Sequence, residues 1–523
     1  MFPSHAVREK SSMNECVNDV ASHLVHMREP LLLQETFEPK AMRAMLNQAW
    51  SALACYRGEE LLIATQVLEP LLDYPHVFED ERASAEIQTL LAVGYIWKDN
   101  VDRASALAHC ALERQGSARF HSVLLTVLRY AYWRSHRFSS FYGFSSARFH
   151  RNHPLIALAH VSHLSMEAAA EVEQLRLKLA ERLAKQAIEL AHRTATSESN
   201  ASLLSTCVLA SLAYEIGATE EADLLCQGKA ASIEQHGTPD SALWGFTVFA
   251  KISIAKSVDN VALWTLQKGV ALGVERGWPR LIERCASEAV VVHLARGRCG
   301  PARNALAQAK RLIAAIDGAS STTVDSWDLE VAGCRIALEE GEWDSAMKGF
   351  TRLRESARRT ERMASAVRLT ALLAACLFRA GKVVEAVDEL RDALQIGAEA
   401  GLYRTFVDEL PLLDTCLRHL RQSRPQRLRH LAPYIDSILA AKAGALTQRR
   451  RLQGRRSASK ILSTKETVIL RLISVGLSNK CIARELHIAP ETVKSHAKRI
   501  FLKLATRTRA EAVARAGELG ILK

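Results

Sequence analysis

The feature that most constrains this chain is a small residue followed five places later by alanine, recurring at nearly fixed intervals. Gly217-x4-Ala222, Ser257-x4-Ala262, Gly297-x4-Ala302, Gly341-x4-Ala346 and Gly381-x4-Ala386 stand 40, 40, 44 and 40 residues apart, each between two apolar stretches of helical period. A small residue permits a tight reversal of the chain, and alanine lets the second helix lie close on the first. The spacing therefore predicts a helical hairpin at each recurrence. One hairpin cannot bury its apolar side alone, so the hairpins must stack into an all-α solenoid with a concave face able to hold a ligand or partner. Gly58, Asp99-x4-Ala104 and Ser135-x4-Ser140 carry the register weakly toward the N-terminus, so that about nine units fill residues 41–445 after a lead-in at 1–40. Between Met166 and His192 the signature is lost, although long helices are still expected there.

Residues 461–523 follow a different logic. Ser463 and Glu466 form a capping box ahead of Val468, Ile469, Leu472 and Ile473, which predicts a helix over about 464–474, with Gly476 as its left-handed stop. Ser478 caps a short second helix carrying Ile482, Ala483 and Leu486; the turn His487-Ile488-Ala489 then leads to Pro490, suited to the first position of a third helix. On that helix Val493, Ala497, Ile500, Phe501 and Leu504 make one buried stripe. The other face carries Lys494, Ser495 and Lys498, then Arg499 and Lys503: side chains of the kinds that reach base edges and phosphates in a major groove. Most charged helix faces are only solvated, but this one follows a capped helix-turn-helix. Thr508-x-x-Glu511 starts a fourth helix running to about Glu518, with a small-residue face of Ala512, Val513, Ala516 and Gly517 that suits close approach of a symmetric partner.

Leu462-Ser463-x-x-Glu466, Gly476-Leu477-Ser478-Asn479-Lys480, Ile482-Ala483, Pro490-Glu491-Thr492-Val493-Lys494-Ser495-His496 and Lys503-Leu504 together resemble the LuxR-type (GerE-like) DNA-binding domain over about sixty residues. The resemblance implies that the third helix is the recognition helix, with Lys494, Ser495 and Lys498 at the groove, Thr492 near a phosphate, and Glu466 and Ile482 as scaffold. It also implies a dimer contact on the fourth helix, through Val513 and Ala516, and RNA polymerase as a partner. Two residues depart from the family pattern. Cys481 stands where Glu is usual, and Ala489 replaces a Ser cap, a loss of roughly 1 kcal/mol of helix stability. The repeats resemble tetratricopeptide repeats, and Gly401-Leu402-Tyr403-Arg404-Thr405-Phe406-Val407-Asp408-Glu409 resembles the end of the repeat domain in MalT-like regulators. Those regulators carry a nucleotide-binding module, which needs a G-x4-G-K-[ST] loop to wrap phosphates with backbone N–H groups. Gly228-Lys229 and Gly381-Lys382 lack the earlier Gly and the following Ser or Thr, so an ATP-driven switch is not carried over and no cofactor is expected.

Charge placement agrees with this division. Beyond residue 448 lie 18 of the 69 basic and 5 of the 57 acidic residues, giving the tail +13 and leaving the first 448 residues at −1. A strongly basic end on a neutral body fits double-stranded DNA as partner and argues against a membrane-binding body. The stretch 446–460, with Arg449, Arg450, Arg451, Arg455 and Arg456, reads as a linker that is either merely solvated or in sequence-independent contact with phosphates. The eleven cysteines form no C-x-x-C pair and Met1–Asn14 has no apolar leader segment, so a reduced cytoplasm at the nucleoid is the expected location.

Candidate chemistry elsewhere is sparse. The stretch Arg114–Met166 has no Asp or Glu, seven Arg and the aromatics Tyr130, Tyr132, Trp133, Phe138, Phe141, Tyr142, Phe144 and Phe149. It reads as core packing with a basic edge before an anion or partner site. His150-x2-His153 and His160-x2-His163 lack nearby Cys or paired carboxylates to complete a metal site, and no nucleophile with a neighbouring base announces an enzyme. Two functions stay open: a sequence-specific transcription regulator whose solenoid senses a small molecule or protein, or a solenoid adaptor tethered to the nucleoid by its tail.

Overall fold

Among the described residues, nine helical hairpins make up most of the first of two compact units. The computed structural model divides into Met1–Ile438 and Leu439–Lys523. It describes residues 39–54, 56–73, 81–113, 120–143, 154–194, 200–317, 326–423, 430–441, 463–474, 477–486, 488–504, 506 and 508–518. The hairpins are α1 (Pro39–Ala54) with α2 (Gly58–Leu68), α3 (Glu81–Trp97) with α4 (Val101–Leu112), α5 (His121–Arg134) with α6 (Phe138–Gly143), α7 (Pro154–Glu173) with α8 (Leu177–Thr194), and α9 (Leu203–Glu215) with α10 (Thr219–Cys226). After the short α11 (Lys229–His236) come α12 (Pro239–Ala255) with α13 (Asp259–Arg276), α14 (Pro279–Leu294) with α15 (Cys299–Asp317), α16 (Trp327–Glu340) with α17 (Trp343–Arg359), and α18 (Met363–Arg379) with α19 (Val383–Ala400). Helices α20 (Arg404–Val407), α21 (Leu410–Ser423) and α22 (432–441) follow. Among the described residues there is no strand, and no helix is long and apolar enough to cross a membrane. Residues 446–460 and all but the end of the 1–40 lead-in lie outside the described residues.

Each hairpin turns on two backbone residues. At the fifth, Gly217 takes φ +89°, and the next residue, Ala218, serves both helices: its N–H donates to Ala213 O at 2.9 Å, and its own carbonyl accepts from Ala222 N at 3.0 Å. One residue thus closes the outgoing helix and opens the incoming one. The same pair of bonds recurs at Val258, Arg298, Glu342 and Lys382, after Ser257 (φ +60°), Gly297 (+67°), Gly341 (+84°) and Gly381 (+81°). Ala222, Ala262, Ala302, Ala346 and Ala386 are all fully buried, as the spacing predicts.

The register departs from the sequence reading in three places. In the third hairpin the left-handed residue is His136 (φ +52°) and the buried position is Phe141, not Ser135 and Ser140, which are exposed. In the first it is Tyr56 (φ +53°), with Leu61 buried; Gly58 instead gives room to Trp97, whose Nε1 stands 2.7 Å from where a Cβ would lie. Between Met166 and His192 the register is kept, with Leu175 at φ +60° and Ala180 fully buried. Side-chain-bearing residues occupy these turns despite a cost of about 1–2 kcal/mol each, so residue type alone does not mark them.

The acid-free stretch is mostly core. Tyr130, Trp133, Phe138 and Phe141 are buried, and Arg129 lies over the Phe141 ring at 4.3 Å while pairing with Glu167 at 2.8 Å. Phe144 and Phe149 lie outside the described residues. His163 is held by Arg129 (2.8 Å) and Thr126 (2.9 Å); burial, then the Arg129 charge, pushes its pKa down to about 3. No group of three His, Cys, Asp or Glu able to hold a metal gathers among the described residues, and His150 and His153 lie outside them.

The hairpins wind into a superhelix whose second half docks on its first. Trp278 Nε1 donates to Trp97 O (2.6 Å) and Arg280 pairs with Asp99 (2.7 Å) across 181 residues. Gln174 Nε2 donates to Glu361 O (2.6 Å), and the backbone amides of Tyr403 and Thr405 donate to Glu215 Oε1 (3.0 and 2.9 Å). The segment 401–409 is therefore a clasp on the α9–α10 turn. Its last residue, Glu409, is 2% exposed and accepts from Arg335 and, at 3.0 Å, from Arg368. Burial raises its pKa, but the two guanidinium groups outweigh burial and hold the carboxyl down at about 2.

Two predictions follow from these contacts. At Gly341 an added Cβ meets no atom, so Gly341→Ala should destabilise only through its φ, by about 1–2 kcal/mol. At Gly217 the Cβ stands 3.1 Å from the Tyr403 ring, so Gly217→Ala should lower the urea midpoint further; equal losses would show that the clasp gives way freely. Glu409→Gln leaves Arg335 buried without its counter-charge and should destabilise by about 3–5 kcal/mol at neutral pH. Because the folded pKa lies below the unfolded carboxylate value of about 4.3, the contribution is complete above that value and lost as pH falls toward 2. Urea midpoints of wild type and variant should accordingly converge as the pH drops below about 4.

Candidate nucleic-acid interface

Among its described residues the second unit places four short helices around one core: α23 (Thr464–Ser474), α24 (Asn479–Glu485), α25 (Pro490–Lys503) and α26 (Arg509–Glu518). The first capping box forms in both directions, Ser463 N donating to Glu466 Oε2 (2.7 Å) and Glu466 N to Ser463 Oγ (3.3 Å). Ser478 caps α24, accepting from Cys481 N at 3.3 Å, and its hydroxyl donates to Cys481 Sγ at 3.2 Å where a Glu would have reached back. Ala489 makes no side-chain cap, and Pro490 opens α25. Gly476 and His487 lie outside the described residues. Arg509 ties the start of α26 to α24 through Asn479 Oδ1 (2.9 Å).

The core joins Ile469, Leu470 and Ile473 with Ile482 and Ala483, the α25 stripe of Val493, Ala497, Ile500 and Leu504, and Ala512 and Ala516 of α26. Val468, expected in the apolar run, is 39% exposed, and Leu470 takes the interior position. Opposite the stripe, Thr492, Lys494, Ser495, Lys498 and Arg499 are all exposed, so α25 presents a cationic face on a preformed support. Lys494 stands 3.7 Å from Glu491, an exposed pair worth little. Lys503 differs from its expected role. Its Nζ lies 2.7 Å from Glu466 Oε2, joining the end of α25 to the capping box. Burial raises the pKa of Glu466, but the hydrogen bonds from Lys503 and Ser463 outweigh it and keep the carboxylate ionised.

The dimer residues need correction. Ala516 is fully buried within its own domain, together with Ala512, because α26 turns its small-residue face inward to pack on the core. Val513 is half-buried against the same core. The sequence reading also omits three residues on the exposed side: Lys480 and Arg484, one turn apart on α24, and Leu502, four residues after Lys498 and 83% exposed. The signal that finds them is the i, i+4 spacing of cations on the helix that precedes α25, and an apolar residue standing off the buried stripe.

The comparison with known proteins accords with this geometry. A family model described as the MalT-like TPR region matches residues 85–423, more than half of the chain. The chain belongs to the MalT-like TPR family. Residues 460–516 match the family of bacterial regulatory proteins of the luxR type, so this MalT-like chain ends in a LuxR-family DNA-binding domain. A protein described as probable transcriptional regulatory protein NarL, from two strains of Mycobacterium tuberculosis, is 39% identical over 80 residues, 15% of this chain. The match spans only 35% of those relatives' own length. Among solved structures, a Rap protein complexed with competence and sporulation factor is similar over 78% of this chain and 99% of its own (12% identity, TM-score 0.42). Yeast Tom70 is similar over 84% and 94% (10% identity, TM-score 0.28).

Lys494→Ala and Lys498→Ala should each lose site-specific affinity by about 1–3 kcal/mol with the fold intact, because neither touches the core. Lys503→Ala should instead lower the melting temperature of the domain more than it weakens DNA binding. Binding titrations at fixed salt beside melting curves check both; the reverse pattern would return Lys503 to the groove.

Proposed function

We propose that this protein is a sequence-specific transcription regulator in which the helical-repeat unit responds to a small molecule or protein partner and the LuxR-family domain occupies DNA as a homodimer. The observation that carries this reading is the exposed cationic face of α25, supported from behind by a fully packed stripe. Phosphate contacts by Thr492, Arg499 and the α24 pair Lys480 and Arg484 set the register, and Lys494, Ser495 and Lys498 read base edges. Pairing through α26 then uses the side bearing Glu511 and Arg515, both exposed, since the alanine side is internal. RNA polymerase is the partner that such a regulator addresses.

Footprinting tests this against the alternative of a solenoid adaptor tethered to the nucleoid. The regulator protects a discrete operator with two half-sites, and Glu511→Lys abolishes cooperative filling while sparing a single half-site. Salt-sensitive protection without sequence preference would favour the adaptor.

A further inference from the structure

The superhelix of the first unit forms a partly open cavity of about 500 Å³ between its two halves, within the range that holds small organic ligands. Much of its charged lining is already paired. Arg280 is held by Asp99 and Asp240 (2.7 and 3.0 Å), Arg284 Nε lies 3.0 Å from Asp328, and Glu215 accepts the amides of the clasp. Glu173 accepts from Ser365 Oγ at 3.2 Å.

Arg362 is different. It is 8% exposed, its guanidinium lies over the Trp327 ring at 4.3 Å, and its Nε is buried with no hydrogen-bond partner. No carboxylate among the described residues forms an ion pair with it, and a buried charge in that condition is destabilising by several kcal/mol. Two more buried nitrogens lack a hydrogen-bond partner: His136 Nδ1, at the third hairpin turn, and Nε of Arg134, a residue that is ion-paired with Asp240 at 3.9 Å but not hydrogen-bonded to it. Burial first, then the charges of Arg362, Arg134 and Arg280, push the His136 pKa down to about 3, so the ring is neutral and offers one N–H. Three nitrogen-bearing side chains from both halves of the superhelix therefore line one space, each with a buried nitrogen that makes no hydrogen bond, and Arg362 among them has no counter-charge.

We propose that this cavity binds a small molecule with a single anionic end, a carboxylate or phosphate on a flat apolar body. The oxyanion is held by Arg362 and Arg134 beside His136, and the body packs against Trp244 and Trp327, which line the same space. A guanidinium fork matches either oxyanion in two-point geometry. Glu283 also lines the cavity, and a carboxylate there disfavours a second anionic group on the ligand.

The inference names the ligand class for the sensing reading above and rests on it only for the regulatory consequence. Calorimetry on the full chain with millimolar benzoate and phenyl phosphate, beside neutral benzamide and phenol, tests the site itself. The anions bind and their neutral counterparts do not; a preference between benzoate and phenyl phosphate identifies which oxyanion the site takes. Arg362→Gln weakens anion binding by at least about tenfold. Equal binding of charged and neutral probes, no heat with any probe, or unchanged affinity in the variant overturns the proposal. If Arg362→Gln does not fold, the charged and neutral pairs on wild type still decide. Anions that bind without changing operator affinity leave the site standing and remove the sensing reading, and an operator response to some other effector does the reverse.

Discussion

Everything in the first unit depends on a link of one backbone residue whose N–H ends one helix and whose carbonyl begins the next. A helix end leaves four unsatisfied groups, and burying them without partners is costly. By closing the outgoing helix and opening the incoming one at the same residue, Ala218, Val258, Arg298, Glu342 and Lys382 make a reversal with no loop to shelter. The position before each must take positive φ, and the fifth position after that must be small or deeply packed because it meets the first helix at closest approach. These two demands fix the angle of every hairpin, and stacking identical angles produces the superhelix.

Stacking alone makes each repeat contact only its neighbours. The docking of the second half on the first changes that, since Arg280 on Asp99, Trp278 on Trp97 and the clasp on Glu215 tie hairpins more than 180 residues apart. The clasp is also where the chain concentrates buried charge. Asp408 and Glu409 are adjacent yet shift oppositely: burial raises Asp408, while Arg335 and Arg368 overcome burial at Glu409. The two halves of the unit are consequently held against each other, with a cavity between them.

What the sequence disclosed follows from how strongly each position restricts residue type. Turns filled by glycine were legible because φ near +80° is inexpensive for glycine alone, and the paired alanine confirmed each one. Tyr56, His136 and Leu175 adopt the same conformation with side chains attached, and no residue pattern announces that choice. In the second unit the capping boxes and the α25 stripe were legible because they are local and periodic. The inward turn of Ala512 and Ala516 was not, because a small-residue face suits a partner helix and a domain core equally well. The cavity was invisible for a plainer reason: Arg134, His136 and Arg362 come together only when the superhelix closes.

That last point bears on how such a chain can respond to a ligand. Arg134 and His136 belong to the third hairpin, whereas Arg362 immediately precedes α18 in the second half, so side chains from both halves line one space. Of these, Arg362 carries a charge with no carboxylate partner among the described residues, which disfavours its burial. On the proposed binding, an anion supplies the missing counter-charge at Arg362 and stabilises the folded unit by RT ln(1 + [L]/Kd), about 2.7 kcal/mol at a hundredfold excess over Kd. A ligand shifts an equilibrium only through such a difference in affinity. The buried Arg362, which lacks a counter-charge, is thus more than a loss of stability, for on the proposed binding it is the group whose burial an anion makes favourable.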